Sequence, residues 1–285
     1  MNPNQKSKIK NQKSSSPLRI LLNEIYVSLQ GESTFAGLPC IFIRLAACNL
    51  RCSYCDTAYA FTGGNNKTLE EILAQVRALA SPFAFARQHE GKSKFEIRDA
   101  KISAAQSKIK NQKSKIPLPL IELTGGEPLL QKNCLPLMAM LCDDGFTVLL
   151  ETSGALDISP VDRRVRRIMD LKCPSSGEVA RNRLANIGEL KSTDEIKFVI
   201  GTREDYAWAR EIIALHKLAA ICPLLFSWVH PLAPEQQDKS LKKVPLGQTP
   251  ISRQELAERI IADALPVRFQ VQLHKVIWPP EQRGV

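Results

Sequence analysis

The sequence predicts an α/β fold, an incomplete (β/α) barrel forming a single domain, on three observations. Strand-like and helix-like segments alternate from Leu120 onward, and such alternation requires crossovers and a parallel sheet. About seven strands are legible, where eight would close a full barrel. The cysteine-rich loop at Cys48–Cys55 and the Gly125–Gly126 loop both leave the C-terminal ends of strands, where a barrel of this kind carries its chemistry.

Taken in order, Cys40–Ala47 is apolar except for Arg44, and its Ile, Phe and Ile favour a strand that delivers the chain into the Cys48 loop. Thr68 precedes apolar residues at Leu69, Ile72, Leu73, Val76 and Leu79, and Glu71 completes a capping box, so an amphipathic helix starts there. From Ser81 to about Lys115 no period persists, and the stretch is expected to be an expansion without structure of its own. Regular structure resumes with a strand at Leu120–Leu123, a helix from Pro128 to Asp143, and strands at Thr147–Glu151, Arg167–Leu171 and Glu195–Ile200. A helix from Arg203 to Ala219 and a strand at Leu224–Val229 follow. Ser252, with Glu255 three residues later, opens a final helix before a strand at Val267–Leu273. The folded domain is expected to span 18–285, with a disordered Lys-rich extension at 1–17 and a low-complexity insertion at about 84–116.

The apolar fraction of 44% in 285 residues allows a sizeable core. The longest apolar stretches, such as Leu137–Cys142, fall well short of the roughly 20 residues of a membrane span. Asn23 and Glu24 interrupt Ile20–Val27, which argues against a secretory signal, so a cytoplasmic protein is expected. In that compartment eight cysteines are read as metal ligands and buried thiols, not as a disulfide framework. The net charge of +10 is concentrated in two copies of one sequence, SKIKNQKS at Ser7–Ser14 and again at Ser107–Ser114. Lys6, Lys8, Lys10, Lys13, Lys108, Lys110, Lys113 and Lys115 carry eight of the ten charges and leave +2 for the rest of the chain. These tracts lack aromatic side chains to stack on bases, so no direct nucleic-acid contact is expected.

Cys48, Cys52 and Cys55 form a C-x3-C-x2-C loop, which lets three thiolates hold three irons of a [4Fe–4S] cube and leaves the fourth iron free to be chelated by a small molecule. The alternative is zinc, which normally takes four protein ligands. No fourth is near, since His89 lies in the expansion and Cys40 lies on the preceding strand. Cys134, Cys142, Cys173 and Cys222 stand at no ligand spacing and are read as core residues. Thr124-Gly125-Gly126-Glu127-Pro128 follows a short apolar strand, and its glycines allow backbone to approach a ligand. Glu151-Thr152-Ser153-Gly154 and Asp170-Leu171-Lys172 end later strands with polar groups, each with the plainer alternative of a solvated strand end.

The cysteine spacing resembles the signature of the radical S-adenosylmethionine superfamily, with Tyr54 at the aromatic position before the last cysteine, and Gly126-Glu127 matches the superfamily's motif at the methionine amino group. Ser28-Leu29-Gln30-Gly31-Glu32-Ser33, Arg44, Cys55-Asp56-Thr57 and Gln272-Leu273-His274-Lys275 together resemble the 7-carboxy-7-deazaguanine synthase family. That resemblance implies radical contraction of 6-carboxy-5,6,7,8-tetrahydropterin to 7-carboxy-7-deazaguanine with release of ammonia, on the route to queuosine. It further implies S-adenosylmethionine held by Tyr54, Cys55, Asp56, Gly126, Glu127, Glu151, Ser153, Asp170 and Lys172, and Mg²⁺ at Thr57. The pterin would meet Leu29, Gln30, Gly31, Glu32 and Thr124, with Arg44 on its carboxylate and Val285 near it through the C-terminal carboxylate. A flavodoxin- or ferredoxin-like electron donor and a homodimer are implied as well. Asp170-Leu171-Lys172 departs from the Ser-Pro-Lys of many relatives. Two rivals stand beside this expectation: an activase of a glycyl-radical enzyme, which needs no Gln30, Glu32 and Arg44 pocket, and a zinc-stabilised RNA-binding module, whose affinity would fall steeply with salt.

Overall fold

The computed structural model describes residues 16–89, 119–232, 234–279 and 282–285. Both lysine repeats, and most of the segments 1–17 and 84–116, lie outside them. The strands are β1 (Arg19–Leu29), β2 (Pro39–Leu45), β3 (Asn65–Thr68), β4 (Leu120–Gly125), β5 (Val148–Thr152), β6 (Arg166–Asp170), β7 (Glu195–Ile200), β8 (Leu224–Trp228) and β9 (Arg268–Gln270). Between them run α1 (Leu69–His89), α2 (Cys134–Asp143), α3 (Arg203–Leu215) and α4 (Arg253–Ala262), and α5 (His274–Ile277) follows β9. The strands form one open sheet in the order β3-β1-β2-β4-β5-β6-β7-β8-β9. From β2 to β9 every pairing is parallel, which is the expected unclosed barrel of seven strands.

The sheet exceeds the sequence expectation by two antiparallel strands at its edge, β1 against β2 and β3 against β1. Asn23 and Glu24, which break the apolar run in the sequence, fall where the β1–β2 register shifts between Leu22 and Glu24. A bulge at that point re-aims side chains without ending the strand.

Period two along the parallel strands builds both the core and the site. In β2, Ile41, Ile43 and Leu45 enter the main core beneath the helices, while Cys40 and Phe42 join a smaller inner cluster with Phe35, Leu120, Leu149 and Ile168. Each inner face then turns polar toward its C-terminal end. Phe42 gives way to Arg44, Leu120 to Glu122 and Thr124, Leu149 to Glu151, and Ile168 to Asp170, all five destinations lining one cavity. The apolar cluster plugs one end of the half-barrel, and the polar residues above it form the floor of that cavity.

The helices differ from expectation in their limits. Thr68 caps α1 as predicted, accepting from Glu71 N at 3.1 Å while its own N–H donates to Glu71 Oε2 at 2.7 Å, but the helix continues through Pro82 to His89. The expected helix from Pro128 to Asp143 is a 3₁₀ turn at Pro128–Leu130 followed by α2. Gln131 and Asn133 at the break bind β1 instead: Gln131 accepts from Leu21 N and donates to the carbonyls of Leu21 and Ala46, and Asn133 donates to Arg19 O. Helix α3 stops at Leu215, short of Ala219, where Lys217 takes a positive φ of 50°. Among the described residues no helix is long and apolar enough to cross a membrane.

Candidate active site

Strand β2 ends at Leu45, and the chain turns through Ala47, at φ 75°, into the cysteine loop. That loop is tied down from outside. Arg51 N donates to Glu178 Oε1 at 2.7 Å, Ser53 Oγ donates to Ser175 O at 2.7 Å, and the Arg51 guanidinium caps the carbonyls of Cys48 and Leu50 while lying 4.2 Å from the centre of the Phe61 ring. Cys48, Cys52 and Cys55 are free thiols on one wall of a cavity of about 530 Å³. Burial raises all three thiols above their ordinary range, and Cys55, with Asp56 beside it, is pushed up to about 12. Stable thiolates here therefore need a positive partner, which iron supplies and Lys172 assists.

The donor chemistry fits an iron–sulfur cube, in which each iron takes one thiolate and the sulfurs need not converge. Zinc requires convergence on a single point, and among the described residues no three His, Cys, Asp or Glu side chains are so arranged. Two buried polar atoms without hydrogen-bond partners, Tyr54 Oη and Asp170 Oδ1, belong to residues on the wall of the same cavity. Both are suited to a polar ligand, and the Lys172 ammonium lies 6.0 Å from the centre of the Tyr54 ring.

The Gly125–Gly126 turn packs against the end of β2. A Cβ on Gly126 would sit 2.0 Å from Ala47 O and 2.7 Å from Cys48 Cβ, so only glycine brings this turn against the cysteine loop. Its neighbour Glu127 departs from expectation: the side chain is wholly buried and does not line the cavity. The carboxylate accepts from Leu129 N at 3.1 Å, Thr152 Oγ1 at 2.9 Å, Ser153 N at 2.8 Å and Ser153 Oγ at 2.6 Å. It is a brace behind the strand ends and holds Ser153, which does face the cavity.

Every other residue given a site role from the sequence lines that cavity: Leu29, Gln30, Gly31, Glu32, Arg44, Cys48, Cys52, Tyr54, Cys55, Asp56, Thr57, Thr124, Gly126, Glu151, Ser153, Asp170, Lys172 and Val285. Gln30 Nε2 donates to Glu122, and Gln30 Oε1 accepts from Glu32 N at 3.1 Å. Glu151 accepts from Thr124 Oγ1 at 3.1 Å and pairs with Lys197, which sets it among the Gln30–Glu32 group. Arg44 donates to Glu24 Oε1 at 2.7 Å and to Tyr26 Oη at 2.8 Å, and Tyr59 Oη donates to the same Glu24 oxygen. Thr57 Oγ1 donates to Asp56 Oδ1 at 2.7 Å, while Lys275 Nζ lies 2.5 Å from Asp56 Oδ2. Against the penalty of burial, Lys275 holds the Asp56 carboxyl well below the usual range. Gly31 lies against the His274 ring, where a Cβ would come within 2.4 Å of Nδ1. The Arg283 guanidinium stacks 4.0 Å from the centre of the Tyr59 ring and brings Gly284 and Val285 to the cavity rim.

Sequence reasoning missed Tyr26, Tyr59, Glu122, Lys197 and Ser227, and it quoted His274 and Lys275 for their resemblance alone, with no role; all seven line the cavity. For Glu122, Lys197 and Ser227 the available signal was a polar residue inside an otherwise apolar strand. Burial, reinforced by nearby Glu151, pushes the Glu122 carboxyl well above its usual range. Burial opposes charge on Glu151 and Lys197 as well, but their mutual contact overcomes it, lowering Glu151 and raising Lys197.

No family model matches the chain. A curated 7-carboxy-7-deazaguanine synthase of Koribacter versatilis is 38% identical over 266 residues, covering 93% of this chain and 99% of the relative. One of Chlorobaculum tepidum is 38% identical over 272 residues, covering 94% and 98%, and one of Methanospirillum hungatei is 34% identical over 258 residues, covering 90% and 85%. The crystal structure of QueE from Escherichia coli superposes with a TM-score of 0.52 at 21% identity, over 89% of this chain and 94% of that one, and shares the fold. With relatives this similar along nearly their whole length, the chain belongs to the 7-carboxy-7-deazaguanine synthase family.

Proposed function

We propose that this protein is a 7-carboxy-7-deazaguanine synthase, a radical S-adenosylmethionine lyase that contracts 6-carboxy-5,6,7,8-tetrahydropterin to 7-carboxy-7-deazaguanine and releases ammonia. The observation that carries the proposal is that one cavity gathers the three cysteines, the Gly125–Gly126 turn and the group Gln30, Glu32, Arg44 and Thr124. An activase would have no use for that last group, and family membership favours neither the activase nor the RNA-binding module.

In this reading Cys48, Cys52 and Cys55 would hold the cluster, which with S-adenosylmethionine bound would supply one-electron, hydrogen-abstracting chemistry. Tyr54, Gly126, Ser153, Asp170 and Lys172 hold the cofactor, while Glu127 acts behind them through Ser153. Glu151 moves to the substrate side, because it bonds Thr124 and shares Lys197 with Glu32. The N–H donors of a pterin edge suit the carboxylates of Glu32 and Glu151 and the amide oxygen of Gln30. Arg44 suits the substrate carboxylate through charge-assisted hydrogen bonds, and Tyr26 and Glu24 hold the guanidinium in place for it. In this reading the walls would have to keep water and stray hydrogen donors from the reacting carbon. No side chain is assigned acid–base or nucleophilic chemistry.

Mg²⁺ at Thr57, Asp56 on the cofactor side, a flavodoxin- or ferredoxin-like donor, a homodimer, a place in queuosine formation for tRNA and a cytoplasmic location complete the proposal. Its boundaries are an appended 1–17, a domain at 18–285 and an insertion at about 84–116. The test is anaerobic reconstitution with iron and sulfide, followed by reductant, S-adenosylmethionine and 6-carboxytetrahydropterin, with mass-spectrometric detection of the deazaguanine. Formation of the product supports the proposal. Cofactor cleavage without product on this substrate supports the activase, and uptake of zinc but not iron supports the binding module.

A further inference from the structure

Four carboxylates meet at the floor of the cavity: Glu32 from the loop after β1, Glu122 on β4, Glu151 on β5 and Asp170 on β6. Lys172 pairs with Asp170 at 2.7 Å, and His274 is near enough to Glu32 and Asp56 to feel both charges. That leaves Lys197, whose side chain is 5% exposed on the inner face of β7. Its ammonium contacts Glu151, lies 3.4 Å from Glu32 Oε2 and 3.9 Å from Asp170 Oδ2. Among the described residues, Lys197 is the ion-pair partner shared by Glu32 and Glu151.

The two acids come from different parts of the architecture. Glu151 is fixed on a central parallel strand, whereas Glu32 sits on the loop that ends the antiparallel hairpin, held otherwise by Ser227 Oγ and by its own N–H on Gln30. Like charges in a poorly hydrated cavity repel unless a cation lies between them. We propose that Lys197 is a positioning residue for the substrate: its ammonium ties Glu32 to Glu151 and fixes the spacing of the two acceptors that meet the pterin edge. This rests on the functional reading above and extends it to a residue that touches the acceptors and not the reacting carbon.

The probe is 6-carboxypterin, titrated calorimetrically into anaerobically reconstituted, unreduced protein, so the readout does not depend on turnover. Lys197→Met, which keeps the stem and removes the charge, should weaken binding at least about 30-fold, the loss expected when one partner of a buried charge pair is removed. Lys197→Arg should recover affinity to within about tenfold of wild type. In a Glu151→Gln background, where one of the two repelling charges is already gone, adding Lys197→Met should cost only a few-fold more. In reconstituted enzyme the KM for the tetrahydropterin should rise more than kcat falls.

Folded Lys197→Met protein that binds within about threefold of wild type overturns the proposal, as does an undiminished penalty in the Glu151→Gln background. If Lys197→Met does not fold, the same ratios are read from Lys197→Gln. Failure of wild-type protein to bind the probe overturns the functional reading, and this proposal with it. Binding by wild type with indifference to position 197 overturns this proposal alone.

Discussion

Replacing Glu127 by alanine should destabilise the protein by about 4 kcal/mol and weaken the cofactor only through that loss. The carboxylate is wholly buried and receives two backbone N–H groups, from Leu129 and Ser153, and two hydroxyls, from Thr152 and Ser153. The hydroxyls can rotate to other acceptors, but the two amides cannot, and each stranded amide costs about 1–3 kcal/mol. Against a typical total of about 5–15 kcal/mol this is a large fraction. Glu127→Gln keeps the shape and one acceptor oxygen, so it should strand a single amide and fall between wild type and alanine. The assay is equilibrium urea unfolding of cluster-free protein, paired with S-adenosylmethionine binding after reconstitution. A Glu127→Ala protein within 1 kcal/mol of wild type in stability, yet with cofactor affinity largely lost, would refute the brace and restore a direct contact.

Three further outcomes follow from the same structure. Arg44→Ala should keep its brown cluster but bind the pterin carboxylate roughly 30- to 100-fold more weakly, the loss of about 2–3 kcal/mol of charge-assisted hydrogen bonding; unchanged affinity would remove Arg44 from the pocket. Deletion of Ser107–Ser114 should leave kcat/KM within about twofold of the full chain, and a folded but inactive deletion would contradict that tract's being an appendage. Arg164, donating through its side chain and backbone, holds the Asp162 carboxyl down to about 2. The stability this adds is present above the ordinary carboxylate range, near pH 4, and is lost as pH falls toward about 2. Asp162→Asn should therefore flatten the acid limb of the unfolding midpoint in that window, and identical slopes would count against it.

Much of the site was legible because its markers are local. The cysteine spacing and the Thr124–Pro128 turn are short stretches in which residue type and spacing state the chemistry, and each lies at a strand end as expected, while the Gln30–Glu32 segment was marked by family resemblance and lies at the end of a strand not foreseen. What escaped depends on partners distant in the chain. Lys197 reads as an ordinary lysine until Glu32, 165 positions away, is found beside it. The break before α2 is set by bonds from Gln131 and Asn133 to β1, which no helical period contains. Strand β1 was hidden by Asn23 and Glu24, whose polarity is explained by the bulge and by the pairing of Glu24 with Arg44. Glu127 carries a motif that suggests ligand contact, and only the fold shows its carboxylate turned inward.

The edge hairpin has an evolutionary implication. Tyr26, Gln30, Glu32 and Arg44 all lie on β1, on β2 or in the connection between them, while the Gly125–Gly126 turn, Ser153, Asp170 and Lys172 belong to the later parallel strands and the loops that leave them. On the proposed reading, target selection draws chiefly on the hairpin, which meets Thr124, Glu151 and Lys197 as fixed points on the parallel strands. A lineage that rewrites the hairpin would change most of the surface a new molecule meets, with the hazardous half of the apparatus inherited untouched.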